Sequence, residues 1–307
     1  MPADDERPDS RESHRPAAHA GTVAELVPEP FARGTVTARD GRILSYAEYG
    51  SVDGSPVLFI PGAASGSSMA FGGEVLKAHG LRLVSFDRPG LGRSEADPAK
   101  TLESVGADVA DLVAELAGHA IPIVANSQGA PFAIAAAIAG AATLLVLVSP
   151  GDEVAHPAVT AQLPEDMGRF VRSVAQGSLG EATKAFTSFS ASSLFEMIMS
   201  DPPTADAPVY QDASFRESFR RTLDEGFAQG PLGYARDTAL AMSDWGLDLS
   251  AVGVPVHVLF GAEDWTHSPD QGRTLTSRLP NASLTVVPGY GGSLLWARPD
   301  LALSLCL

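Results

Sequence analysis

The stretch "IVANSQGAPFAIAAA", residues 123–137, decides the reading of this chain. Its first three residues are a short apolar run of the kind that forms a buried strand, and its last nine are apolar and rich in alanine, which favours helix. Ser127 falls at the junction. Ala125 and Gly129 flank it two residues away on either side. A sharp turn from strand into helix crowds those two positions against neighbouring backbone, so they must be small. The same turn lifts the serine oxygen above the sheet and aims the amino end of the helix at it, so the Gln128 N–H faces any oxyanion formed at an attacked carbon.

Outward from this junction the pattern alternates. "GTVTARDGRILSYAEYG" (34–50) predicts two strands around a turn at Arg39, Asp40 and Gly41. "PVLFIPG" (56–62) and "LRLVSFD" (81–87) predict strands, with a helix over 67–79 between them. "TLESVGADVADLVAELAG" (101–118) places apolar residues three and four apart, the signature of an amphipathic helix. "TLLVLVSPG" (143–151), "VPVHVLFG" (254–261) and "SLTVVPG" (283–289) predict further strands, with a helix near 269–279. Short apolar strands alternating with helices predict an α/β architecture: a mostly parallel sheet covered by helices on both faces.

The segment 130–149 is uncharged and long enough to cross a bilayer. Gly140 divides it into an Ala-rich half and a Leu- and Val-rich half, which reads as a buried helix followed by a buried strand. No membrane association is expected. The chain has 307 residues, 45% of them hydrophobic, enough for one large core with an insertion. With 21 Lys and Arg against 37 Asp and Glu, the net charge of −16 repels phosphate backbones and excludes nucleic acid as a partner. Cys306 stands alone, so no internal disulfide forms, and no Cys/His group has zinc spacing. These features point to a reducing cytosol and to no metal or other cofactor. Abundant Ala and Gly with few Lys suggest a high-GC bacterial source, a setting compatible with secondary metabolism. Residues 1–30 are polar, charged and Pro-rich, and are expected to be a disordered tail. Residues 31–150 and 251–307 form the expected core, and 151–250, helical in pattern and rich in Phe and Met, an inserted lid over an apolar small-molecule pocket. Oligomeric state is not legible.

From about residue 32 to the end, the chain resembles the α/β-hydrolase superfamily. "LFIPGAAS" (58–65) resembles that family's first oxyanion loop, which implies Ala63 as a backbone donor beside Gln128. "FDRPGLGRS" (86–94) resembles the loop after the next strand, with Asp87 and Arg88 as structural residues. "LFGAEDWTHSPDQGRTLTSRLPNA" (259–282) resembles the acid-bearing strand end, which makes Asp264 the triad acid and Ser127 the nucleophile.

The resemblance then implies Gly-His in "PGYGGSLLW" (288–296), where Gly291 matches the glycine and Gly292 stands in the place of the histidine. A serine hydroxyl without a base is a poor nucleophile. A void between Ser127 and Asp264, filled by water or a ligand group, is the expected consequence. Among the other histidines, His14 and His19 lie in the tail, His79 and His119 at the opposite edge of the sheet, and His257 within a strand. His267, three residues past Asp264, is a candidate substitute base on the correct edge, with His156 behind it, but neither stands in the expected place. Tyr290 is a poor base because its ordinary pKa is near 10. The leading reading is an ester, thioester or lactone hydrolase with an incomplete triad. The alternatives are a repurposed enzyme performing a cyclisation, elimination or rearrangement, and a non-catalytic small-molecule binding protein.

Overall fold

The computed structural model describes residues 26–307. The chain begins with a hairpin, β1 (Ala32–Thr37) and β2 (Ile43–Gly50), joined through the turn at residues 39–41. Then follow β3 (Ser55–Ile60), α1 (Gly73–Ala78), β4 (Leu81–Phe86), α2 (Leu102–Ala117), β5 (Ile121–Ser127), α3 (Gly129–Ile138) and β6 (Ala142–Pro150). The insertion carries α4 (Pro157–Thr160), α5 (Glu165–Gln176), α6 (Leu179–Phe186), α7 (Ala191–Met199), α8 (Ala207–Tyr210), α9 (Ala213–Gly226) and α10 (Leu232–Met242). The chain returns through β7 (Val256–Gly261), α11 (Arg273–Arg278) and β8 (Ala282–Val287), and closes with α12 (Leu294–Ala297) and α13 (Pro299–Leu303).

One eight-stranded sheet runs in the order β1-β2-β4-β3-β5-β6-β7-β8. β1–β2 and β2–β4 pair antiparallel, and every other pair is parallel. The central strands are buried on both faces, which is why they read as unbroken apolar runs. Alternate residues of β5 divide between the two layers: Ile123 and Ala125 pack with α2 and α3, whereas Val124 joins the opposite layer with the insertion and the C-terminal helices. The 130–149 segment is α3 followed by β6, and among the described residues no helix is long and apolar enough to cross a membrane.

Local sequence explains the ends of the elements. α2 starts at a reciprocal Thr101–Ser104 capping box and stops at Gly118, whose φ of 72° is the left-handed conformation that glycine favours. Two predicted helices are shorter than their patterns. The helix expected over 67–79 begins only at Gly73, because Gly72 before it is left-handed and the backbone of Ser67 is bonded elsewhere, its carbonyl accepting from the Tyr49 hydroxyl and its N–H donating to Asp87. The helix expected near 269–279 is confined to Arg273–Arg278 by left-handed Gln271 and Gly272. Most of the tail expected to be disordered lies outside the described residues, but its last part is held. Val27 is buried in the core, Glu29 pairs with Arg221 at 2.9 Å, and the Phe31 N–H bonds to the Glu48 carbonyl.

Candidate active site

Ser127 ends β5 and Gln128 caps α3. The Ser127 φ of 51° is a left-handed conformation for a residue with a Cβ, a strain of roughly 1–3 kcal/mol that the surrounding packing must hold. That packing is close. A Cβ on Gly129 would lie 2.2 Å from the Ile60 carbonyl oxygen, so only glycine fits two residues after the serine. Gly62 abuts the serine itself, since a Cβ there would sit 3.2 Å from Ser127 Cβ and 3.6 Å from its Oγ. Ala63 follows Gly62, and Ala64 after it is also left-handed at φ 52°. Gly62, Ala63 and Ser127 border one cavity of about 520 Å³.

Asp264 lies in the turn after β7, its side chain fully buried. Its carboxylate accepts hydrogen bonds from the Thr266 N–H (3.1 Å) and Thr266 Oγ1 (3.0 Å). His267 Nδ1 stands 3.0 Å from both carboxylate oxygens. Burial pushes the Asp264 carboxyl up, but the charge and hydrogen bond of His267, with further hydrogen bonds, outweigh it and hold the carboxyl at about 2. Burial likewise pulls His267 down, and the Asp264 charge and hydrogen bond, joined by the Asp206 charge, overcome it and leave the imidazole above its ordinary value. The His267 side chain is 20% exposed and borders the same cavity as Ser127.

Gly292 lies against this pair. A Cβ built on it would be 2.8 Å from His267 Cε1, 3.2 Å from His267 Nδ1 and 3.6 Å from Asp264 Oδ2. The space expected to be a void beside Gly292 therefore holds the imidazole of His267. The neighbouring glycine is filled in the same manner. A Cβ on Gly291 would meet the Asp206 carboxylate, which accepts from the Gly292 N–H at 3.1 Å and the Ser293 N–H at 2.7 Å. Each glycine leaves room for a side chain arriving from elsewhere in the chain.

The other histidines stand elsewhere. His156 caps α4 by accepting from the Ala158 N–H, and His257, expected as a core residue, is only half-buried on β7 beside Ser283. Neither borders the cavity, nor does Tyr290. His14 and His19 lie outside the described residues. Three residues that sequence reading passed over do reach the site: Asp206, Thr266 and Trp296. Asp206 sits in "SDPPTADAP", whose composition reads as an exposed loop, yet it is only 3% exposed. Its signal was the pair of glycines it serves, far away in sequence. Among the described residues no group of His, Cys, Asp and Glu could hold a metal ion.

The alpha/beta hydrolase family model matches residues 57–303, and the chain belongs to that family. It is 26% identical over 281 residues to a non-heme chloroperoxidase of Streptomyces lividans, covering 87% of this chain and 96% of that protein. Among solved structures it resembles a hydrolase from Pseudomonas aeruginosa PA01, with a TM-score of 0.62, 20% identity and coverage of 88% of this chain and 95% of that one. It also resembles a thermophilic esterase from Thermogutta terrifontis, with a TM-score of 0.59, 21% identity and coverage of 89% and 96%.

Proposed function

We propose that this chain is a cytosolic serine hydrolase acting on neutral, largely apolar carboxylic esters, thioesters or lactones, with Ser127 as nucleophile, Asp264 as acid and His267 as base. The observation that carries the reading is the His267 imidazole, bonded through Nδ1 to Asp264 and filling the space beside Gly292 in the cavity that Ser127 borders. The triad is then complete, with its base supplied from the loop after β7 rather than from the loop after β8. The role of an active-site base is set by geometry, not by its place in the chain.

With Nδ1 engaged by Asp264, Nε2 is the nitrogen left to take the Ser127 proton as Oγ attacks the acyl carbon. The oxyanion accepts from the Ala63 and Gln128 N–H groups. Collapse breaks the bond to the leaving oxygen or sulfur, which departs with the proton from His267. Water, deprotonated by His267, then releases the acid and restores Ser127. The cavity wall from α7, α9 and α10 is apolar at Leu194, Ile198 and Phe219, with Asp201 and Asp206 as its charged members and no Lys or Arg. That supports neutral or cationic substrates over anionic ones. The insertion from α4 to α10 serves as the lid over this pocket.

Two results test the reading. Ser127→Ala should abolish hydrolysis of p-nitrophenyl butyrate and labelling by a fluorophosphonate, with its melting temperature close to the parent's; labelling that persists in the variant would place the nucleophile elsewhere. The acid limb of kcat/KM should fall above pH 6.5, because the base must be neutral and the Asp264 and Asp206 carboxylates raise its pKa. A limb below pH 6 would show that His267 does not titrate in the reaction.

A further inference from the structure

α10 reaches both halves of the proposed oxyanion hole through two consecutive residues. Asp237 takes a hydrogen bond at 2.8 Å from Arg88 Nε, and the side chains of this pair are fully buried. The rest of the guanidinium is spent on the oxyanion loop: Nη1 donates to the Pro61 carbonyl at 2.6 Å and Nη2 to the Gly62 carbonyl at 2.9 Å. Phe132, on α3, lies under the guanidinium with 4.9 Å from Cζ to the ring centre. The next residue, Thr238, meets the Gln128 side-chain amide at 3.0 Å.

The geometry of the peptide unit gives these contacts a direction. The chain has no cis peptides among its described residues, so each C=O points opposite to the N–H of the same unit. Holding the Gly62 carbonyl toward Arg88 fixes the Ala63 N–H on the other side, and holding the Gly62 and Pro61 carbonyls together leaves the loop no freedom to rotate that unit. On the other half, Thr238 anchors the side chain of the residue whose own N–H is the second donor. Tyr234 borders the cavity one turn earlier on α10, so the helix that lines the cavity also contacts the loops carrying the proposed donors.

We infer that Arg88, Asp237 and Thr238 are positioning residues that aim the Ala63 and Gln128 N–H groups, making α10 the element through which pocket occupancy is registered at the oxyanion hole. The inference rests on the proposed acyl-transfer reading for its kinetic consequence, but its structural half stands apart from activity. Arg88→Lys keeps a charge for Asp237, but a lysine ammonium cannot reproduce the fork to two carbonyls. Thr238→Val keeps shape and removes the hydroxyl.

The experiment measures p-nitrophenyl butyrate kinetics and peptide-level hydrogen exchange on the full chain and both variants. Because donors are displaced rather than deleted, kcat should fall roughly 10- to 100-fold with KM within about twofold. Thr238→Ser should recover most of the loss from Thr238→Val. Exchange should quicken at residues 62–64 in Arg88→Lys and at 127–129 in Thr238→Val. Unchanged kcat in variants of an active, Ser127-dependent parent overturns the inference while leaving the hydrolase reading intact. If the parent shows no Ser127-dependent hydrolysis, the hydrolase reading fails and exchange alone decides. Faster exchange at the two loops then sustains the tether, and unchanged exchange there overturns it.

Discussion

His267→Ala should lower kcat/KM for an activated ester by about ten-thousandfold, leaving the residual contribution of the oxyanion hole and binding. The prediction has an unusual companion. Gly292→His, which would complete a triad in the position the family pattern suggests, should harm the parent enzyme, because a Cβ at 292 lies 2.8 Å from His267 Cε1 and the two rings would compete for one space. In the His267→Gly background the same substitution should recover at least about a hundredfold of the lost rate, since the emptied space then has the size of an imidazole. Gly292 does not have a left-handed φ, so its backbone tolerates the side chain. Measured kcat/KM and melting temperatures of the four variants, His267→Gly included, decide the matter. A folded His267→Ala variant with parental activity would remove His267 from the mechanism, and a folded double variant at background would show that only the loop after β7 can present the base.

Asp237→Ala should lower stability by roughly 3–5 kcal/mol. Asp237 pairs with both Arg88 and Lys100, whose side chains are all but fully buried. Burial above all already holds Lys100 below its ordinary value, so it can shed its proton when the carboxylate is lost. Arg88 cannot, and a guanidinium without a counter-ion remains inside the protein. At roughly 2–4 °C per kcal/mol for a domain of this size, the melting temperature should drop by about 6–20 °C. Asp237→Asn, which keeps the acceptor, should cost less. A fall under 2 °C in Asp237→Ala would mean that the cluster does not hold the insertion to the core.

The fold was readable because its determinants are local. The run from Ile123 to Ala137 carries strand, turn and helix within fifteen residues, and the strands on either side are apolar enough to need two covered faces. Helix ends were less legible at Gly72 and Gly272, where left-handed backbone, not the apolar period, sets the start. The candidate site divides in the same way. Ser127, Ala63, Gln128 and Asp264 are positions at strand ends that a pattern can locate. The place of His267 depends on what is missing at Gly292, and that of Asp206 on what is missing at Gly291. Absent side chains leave no trace in periodicity. Asp206 is hidden for a related reason: the polar segment around it is largely exposed, as its composition implies, but this one carboxylate is buried and is satisfied by two N–H groups.

The spacing of Asp264 and His267 has a mechanical consequence. Both leave the sheet on one loop, three residues apart, and β8 is the edge strand on that side. In an arrangement with the base beyond β8, sliding or fraying of that last strand would alter the separation between base and acid. Here the two belong to one short segment anchored to β7, which is flanked on both sides, so breathing of the sheet's margin should leave their hydrogen bond intact. What such motion can change is the approach of this segment to Ser127. Thermal wear at the margin of the sheet should therefore appear as misalignment of a still-coupled pair rather than as its separation.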